Sequence, residues 1–352
     1  MVNIPMRNLG IIGCSSTGIA NLHIDSYGDL FNLYMCCDLK IEEALKFQRK
    51  YKFEKSCSDS KDLINDKNID VLVICTPPHV RKEIIIPAAR AGKHILIEKP
   101  LAISMADAYE INKECKRSDV KAALAQTYRF FPHILEASRI LKKRTLGKPF
   151  FGLLEDFLFG FFPLKSVKSS GYMGEMKQML LIEMVVHYFD VLRALLGENA
   201  VEVYAKINRP EYRCKIGEKG ETHATVCLTF ESGCIVQVLV SWDCPEGGIG
   251  GPNNYKAHIE CENGVLYINK DSHLLSVFNR VDNQWIIPQI KQPVPWETAW
   301  RNCMKDFLNA IQQDKEPTTS VDDNLNTMKI VFAAYRSVTE NRPVRIDEIE
   351  QE

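Results

Sequence analysis

The stretch His94-Ile95-Leu96-Ile97-Glu98-Lys99-Pro100 decides how this chain is read. Its apolar run ends abruptly in a carboxylate, an ammonium and a proline. Short apolar runs bounded by turn residues read as strands of a parallel sheet buried on both faces. The ring of Pro100 crowds a helical predecessor, which biases Lys99 toward extended backbone. Lys99 is therefore expected at the carboxyl end of a buried strand, the end of an open α/β sheet at which ligands bind. A lysine held there is a candidate acid/base group.

Working outward, residues 8–14, 31–37, 70–75 and 121–125 read as further strands, and 41–51, 84–91 and 104–116 as the helices between them. Such alternation predicts βαβ units and a parallel sheet. After about residue 128 the pattern changes. Helical stretches at 132–143 and 179–196 precede strand-like segments at 201–207, 222–230, 234–242, 258–261, 265–268 and 274–278. Glu231-Ser232-Gly233 and Glu262-Asn263-Gly264 are hairpin turns, so these strands should form an antiparallel sheet with helices on one face. Helices over 296–312 and 322–340 close the chain. The expectation is an α/β protein with a parallel-sheet domain over 1–128 and an α+β domain over 129–352 built on a large, mostly antiparallel open sheet.

A length of 352 residues supports two domains, and 45% hydrophobic with 25% charged residues describes a globular protein. A net charge of −1 leaves no electrostatic footprint for nucleic acid or a membrane surface. No apolar run is long enough to span a bilayer, and residues 1–9 lack a signal-peptide core. The 12 cysteines are scattered, without C-x-x-C pairs, and read as reduced thiols of a cytoplasmic protein rather than metal ligands.

Three motifs carry chemistry. The first turn, Gly10-Ile11-Ile12-Gly13-Cys14-Ser15-Ser16-Thr17-Gly18, is an imperfect dinucleotide fingerprint with Ser15 at the middle glycine. A Cβ there crowds the pyrophosphate, although the serine hydroxyl can donate to it. Asp38 follows the second strand, 20 residues beyond Gly18, where a carboxylate binds the adenosine ribose. It would repel a 2′-phosphate and so favours NAD, while Lys40 nearby leaves NADP open. As a plain helix-start residue it would do neither. The third motif lies within 179–193. On a helix, Glu183, His187 and Asp190 share one narrow face at i, i+4 and i+7, among residues apolar nearly all round. Buried charge must line a cavity or pair internally. Three readings are open: a proton-transfer pair, an internally satisfied network, or a divalent-metal pair for which no further ligand has telling spacing.

Together, Glu98-Lys99-Pro100, the imperfect glycine turn, Asp38 and His187-Tyr188-Phe189-Asp190 resemble the Gfo/Idh/MocA oxidoreductase family. The resemblance extends to Thr76-Pro77-Pro78, Tyr128-Arg129-Phe130-Phe131-Pro132, Leu146-Gly147-Lys148-Pro149 and Ala334-Tyr335-Arg336-Ser337. It implies a Rossmann domain followed by an α+β domain whose open sheet mediates assembly, here as a homodimer or homotetramer. The implied cofactor is NAD, held by Gly13, Ser15, Ser16, Thr17 and Asp38 and, near the nicotinamide, by Thr76, Pro77, His79, Glu98 and Lys99. The implied catalytic residues are Lys99, His187 and Glu183. The implied substrate contacts are Lys99, Arg129, Tyr172, Glu183 and His187, with Lys165 and Lys168 in the same loop as Tyr172. His23 resembles a common family position and reads as packing or capping. Four positions depart from the pattern: Ser15 and Val185 replace glycines, Glu183 replaces an aspartate, and Arg81 stands where a histidine often follows the T-P-P turn.

The resemblance thus implies an NAD(P)-dependent dehydrogenase that oxidises or reduces a secondary alcohol or ketone of a sugar, polyol or nucleotide sugar. Its partners would be small molecules, with no metal, nucleic acid or membrane. An NAD-dependent glycosidase with transient sugar oxidation and a non-catalytic dinucleotide- or sugar-sensing regulator are the alternatives. The chain's central expectation is spatial: Lys99 and His187 should meet in one dinucleotide-binding crevice.

Overall fold

The computed structural model describes residues 6–15, 18–158, 176–215, 219–244, 255–270, 273–292 and 294–349. The chain forms two compact units, Met1–Phe130 with Pro295–Leu325 and Phe131–Val294 with Asn326–Glu352.

In the first unit, strands β1 (Asn8–Ile12), β2 (Asn32–Cys37), β3 (Lys55–Cys57), β4 (Val71–Ile74), β5 (His94–Ile97) and β6 (Ala122–Leu124) make one sheet in the order β3-β2-β1-β4-β5-β6. Every neighbouring pair is parallel. Between the strands run helices α1 (Ala20–Tyr27), α2 (Ile41–Tyr51), α3 (Ser60–Asn65), α4 (Lys82–Arg90) and α5 (Met105–Arg117). The central strands are apolar beyond their first residues because both faces are covered: Ile11, Val73 and Ile97 have no exposure. Strand order reverses between β1 and β4, and the turns after their carboxyl ends flank this switch point. Gly13 follows β1 with a φ of +89°. A Cβ added there would lie 2.9 Å from the Cys75 carbonyl carbon and 3.0 Å from the Thr76 nitrogen, so the turn requires glycine.

Two features of this unit depart from the sequence reading. The short edge strand β3 lacks an apolar run and was not expected. The chain also does not leave the first unit for good at residue 128. Helix Trp296–Gln312 packs on α1, where Arg301 donates to the Ser26 carbonyl at 3.0 Å and pairs with Asp29 at 2.6 Å. The following segment runs along β6, with Leu124 N donating to the Thr319 carbonyl at 2.8 Å and the Thr319 hydroxyl to the Leu124 carbonyl at 2.8 Å. A parallel sheet's edge strand presents unpaired backbone groups, and this segment supplies the partners.

The second unit holds a nine-stranded sheet of β7 (Pro149–Phe157), β8 (Ala200–Asn208), β9 (His223–Phe230), β10 (Ile235–Ser241), β11 (Lys256–Cys261), β12 (Gly264–Lys270), β13 (His273–Asn279), β14 (Gln284–Ile286) and β15 (Val344–Arg345). Its order is β14-β13-β12-β11-β7-β10-β9-β8-β15. All pairs are antiparallel except β7 with β10, and the two expected hairpins join β9 to β10 and β11 to β12. Side chains alternate across it. Leu154, Val226, Val238, Ile259 and Leu266 are buried on one face, while Phe151, Leu153, Cys227, Gln237, His258 and Tyr267 are half-buried on the other. Helices α6 (Pro132–Lys142) and α7 (Val186–Leu196) belong to this unit. Among the described residues no helix is long and apolar enough to cross a membrane.

The first turn supplies a test of its own geometry. Gly13→Ala should lower unfolding free energy by about 1–3 kcal/mol in denaturant titrations, since the added methyl meets backbone in a left-handed conformation. Gly18→Ala should cost less, because its methyl's tight contact is with the rotatable Ser15 hydroxyl, at 2.7 Å, while backbone lies no closer than 3.5 Å.

Candidate active site

In the first unit the expected cofactor residues gather at the carboxyl edge of the sheet, after β1, β2, β4 and β5. Gly13 N donates to the Cys37 carbonyl at 2.8 Å, tying the glycine turn to the residue before Asp38. Asp38 is half-buried, and its Oδ1 accepts from Lys40 N at 3.1 Å in the turn before α2. Ser15 is half-buried, and its carbonyl accepts from Gly18 N at 3.1 Å. Ser16 and Thr17 lie outside the described residues. His79 is exposed on the turn after β4, and the hydroxyl of Thr76 is buried without a hydrogen-bond partner.

Lys99 is half-buried at the end of β5, beside a set of buried hydrogen bonds. Glu98 is 5% exposed, with Oε1 accepting from His23 Nε2 at 2.8 Å and Oε2 from Lys99 N at 3.1 Å. Burial alone would raise the Glu98 pKa. The His23 hydrogen bond and the charges of Lys99 and Arg81 outweigh that and hold it below the ordinary carboxylate value. Glu98, expected beside the cofactor, thus spends its carboxylate inside the unit. Arg81 is buried too. Its guanidinium donates to the Thr76 carbonyl at 2.9 and 2.6 Å, to the Glu98 carbonyl at 2.5 Å, and to the Pro100 carbonyl. One side chain therefore binds the turn after β4 to the turn after β5. In the sequence Arg81 stands only as a departure from the family pattern, and His23 as packing or capping; the signal for the second is His23 and Tyr27 at i and i+4 on one helix.

Arg129, expected as a substrate contact, pairs with Asp323 at 2.8 Å and donates to the Thr318 carbonyl at 3.4 Å. All three residues belong to the first unit, so its guanidinium holds the returning segment.

In the second unit, Glu183, His187 and Asp190 are 3%, 7% and 1% exposed. The helix carrying them is not uniform. Residues Leu181–Val185 form a π-helical turn that passes into α7 at Val186. The wider turn places Glu183 and His187 differently from the i, i+4 stripe of a regular α-helix, and such bulges often mark functional sites. Its amino end is held by Glu221, a buried carboxylate on a separate segment. Glu221 accepts from Met179 N at 3.1 Å, Leu181 N at 3.3 Å and the Tyr335 hydroxyl at 2.6 Å. A carboxylate there satisfies orphan helix donors and the macrodipole together. Asp190 joins an internal network: Thr327 Oγ1 donates to it at 3.3 Å and accepts from Arg193 at 2.9 Å. Next to His187, the Tyr188 hydroxyl donates to Asp156. Tyr172, Lys165 and Lys168 lie outside the described residues. Among the described residues no group of three metal-binding side chains occurs.

This constellation, a reversed-order parallel sheet with a glycine turn and a lysine at its carboxyl edge, defines a dinucleotide-binding α/β protein. Comparison with known proteins names the family. Residues 7–126 match the Gfo/Idh/MocA oxidoreductase family's NAD-binding Rossmann fold, and residues 134–267 match its C-terminal domain. The chain belongs to this family. It is 25% identical over 349 residues to a D-apiose dehydrogenase of Paraburkholderia graminis, covering 97% of this chain and 90% of that one. It is 24% identical over 350 residues to a myo-inositol 2-dehydrogenase of Thermotoga maritima, covering 97% and 99%. Among solved structures, a levoglucosan dehydrogenase in complex with NADH and levoglucosan superposes with a TM-score of 0.86 at 20% identity, covering 97% of this chain and 99% of the other, and so shares the fold. The family's cofactor is NAD, and the cradle a Cβ at Gly13 would fill, with Asp38 one strand away, fits it.

Asp156 offers a pH test. Burial pushes its carboxyl from 3.8 up to about 6, against the lowering effect of the Tyr188 hydroxyl. The folded chain therefore holds this proton more tightly than the unfolded one. That contribution is fully present below the unfolded value and is lost as pH rises through about 6. Asp156→Asn should remove the loss, gaining about 2–3 kcal/mol on wild type between pH 4 and 7 in paired denaturation curves.

Proposed function

We propose that this chain is an NAD-dependent dehydrogenase acting on a secondary alcohol of a sugar or polyol. One observation carries the reading: Lys99 stands at the carboxyl edge of a Rossmann sheet on a backbone fixed by buried hydrogen bonds. A lysine needed only for solubility requires no such anchorage. The apiose and inositol dehydrogenases among the relatives supply the substrate class by analogy.

In this reading the first unit holds the dinucleotide and the second binds substrate. Gly13 and Ser15 face the pyrophosphate, Asp38 accepts from the ribose hydroxyls, and Thr76, Pro77 and His79 border the nicotinamide. NAD, when bound, supplies the two-electron acceptor. The chain's own side chains manage the proton. His187 takes it from the substrate hydroxyl, and the Lys99 ammonium donates to the same oxygen as negative charge grows there. Glu183, buried one turn before His187, accepts from a second substrate hydroxyl and sets the sugar's orientation.

The open face of the second unit's sheet supports self-association. Ring contacts run across it from Phe151 to His258 at 6.3 Å, to Tyr267 at 5.8 Å and to Trp285 at 5.9 Å. Trp285 is about half exposed, at 51%. An apolar aromatic band of this kind suits the core of a twofold interface, giving a homodimer or homotetramer.

Lys99→Ala should cut kcat by about 10²- to 10⁴-fold while NADH fluorescence titration still reports binding, and His187→Ala should do the same. Unchanged turnover in both, on a panel of sugars and polyols that wild type oxidises, would remove the pair from the mechanism. Trp285→Asp should shift the assembly toward monomer in light scattering, with the unfolding midpoint falling as partner contacts are lost.

A further inference from the structure

A continuous hydrogen-bond chain lies behind Lys99 in the first unit. The Tyr27 hydroxyl and His23 Nδ1 are 2.5 Å apart, His23 Nε2 and Glu98 Oε1 2.8 Å, and Glu98 Oε2 and Lys99 N 3.1 Å. One histidine tautomer satisfies every link: Tyr27 O–H donates to Nδ1, Nε2–H donates to Glu98, and Lys99 N–H donates to the other carboxylate oxygen. Tyr27 and His23 have no exposure, and Glu98 is 5% exposed. On the far side of the peptide, Arg81 grips the Glu98 and Pro100 carbonyls, one on each side of residue 99.

This arrangement is costly unless it does something. Buried polar pairs are often replaceable by apolar residues of similar volume without loss of stability, so stability alone does not account for them. The chain's effect is directional. It anchors Glu98 against α1 through one carboxylate oxygen and holds the Lys99 amide through the other. Arg81 then fixes the two carbonyls that bracket it.

We propose that His23, supported by Tyr27, is a positioning residue for Lys99: through Glu98 it fixes the backbone from which the lysine reaches the reacting oxygen. The proposal rests on the reading of Lys99 as the proton-managing group. His23 itself touches neither substrate nor cofactor.

Four variants test it, against a substrate found on the sugar and polyol panel. His23→Leu removes the donor to Glu98. Glu98→Gln keeps the shape but cannot accept from both His23 and Lys99. Tyr27→Phe removes only the outer link. Expected for His23→Leu and Glu98→Gln is a fall in kcat of about 10- to 100-fold, the scale of an ångström of misplacement, with NADH affinity and KM within threefold of wild type. Tyr27→Phe should lose less. His23→Gln, which keeps an N–H near Nε2, should recover most of the rate. A readout independent of turnover is the acetylation rate of Lys99 by acetic anhydride, followed by peptide mass spectrometry relative to the other lysines. It should change at least threefold in His23→Leu and Glu98→Gln and revert in His23→Gln. Unchanged Lys99 labelling in folded Glu98→Gln would overturn the proposal, as would kcat, KM and NADH affinity moving together in proportion to lost stability. Should His23→Leu not fold, Glu98→Gln and Tyr27→Phe decide by the same two readouts. If no sugar or polyol is turned over, the dehydrogenase reading falls while the labelling result still decides the positioning.

Discussion

A carboxylate buried at the end of a parallel strand is tolerable only if each oxygen finds a donor, and this constraint organises the first unit. Glu98 obtains one donor from α1 and the other from the peptide that follows it. Satisfying it draws His23 and Tyr27 into the core. It also fixes where the chain turns after β5, because Arg81 spans the gap between that turn and the one after β4. The turn after β1 is set separately, by a glycine pressed against the backbone of Cys75 and Thr76. Three neighbouring strand ends are thus held in register by contacts that leave little freedom at the edge where a dinucleotide binds.

The second unit follows the same rule with different residues. Its helix after residue 180 is apolar on nearly every side, so each polar group it carries needs a defined partner. Glu221 meets the free amides at the helix start, Thr327 donates to Asp190 and accepts from Arg193, and Asp156 receives the Tyr188 hydroxyl. These contacts sort the polar stripe into parts. Asp190 is held in an internal network, while Glu183 and His187 sit where a π-helical turn passes into α7.

Much of the fold was legible because its signals are local. Helix α2 spans Ile41–Tyr51 as the periodicity predicted, and the two glycine turns join antiparallel neighbours. Strand β7 escaped notice although it lies mid-sheet. It opens on a proline, and Phe150-Phe151-Gly152-Leu153-Leu154 shows no alternation, so its strand character comes from its neighbours β10 and β11. The return of Pro295–Leu325 to the first unit was equally invisible, because a helix's periodicity says that one face is buried but not against what.

The amino-acid order by itself determined the alternation of strands and helices, the family and the cofactor, and it singled out Lys99 and His187 as candidates, since these depend on residue types at short spacing. Only the tertiary structure decided what each buried polar group does. Glu98 turned out to serve the backbone of Lys99, Arg129 the returning segment, and Arg81 two turns at once. A hydrogen-bond partner 75 residues away, as His23 is from Glu98, leaves no periodic trace in a sequence, because its position is fixed by how the elements pack.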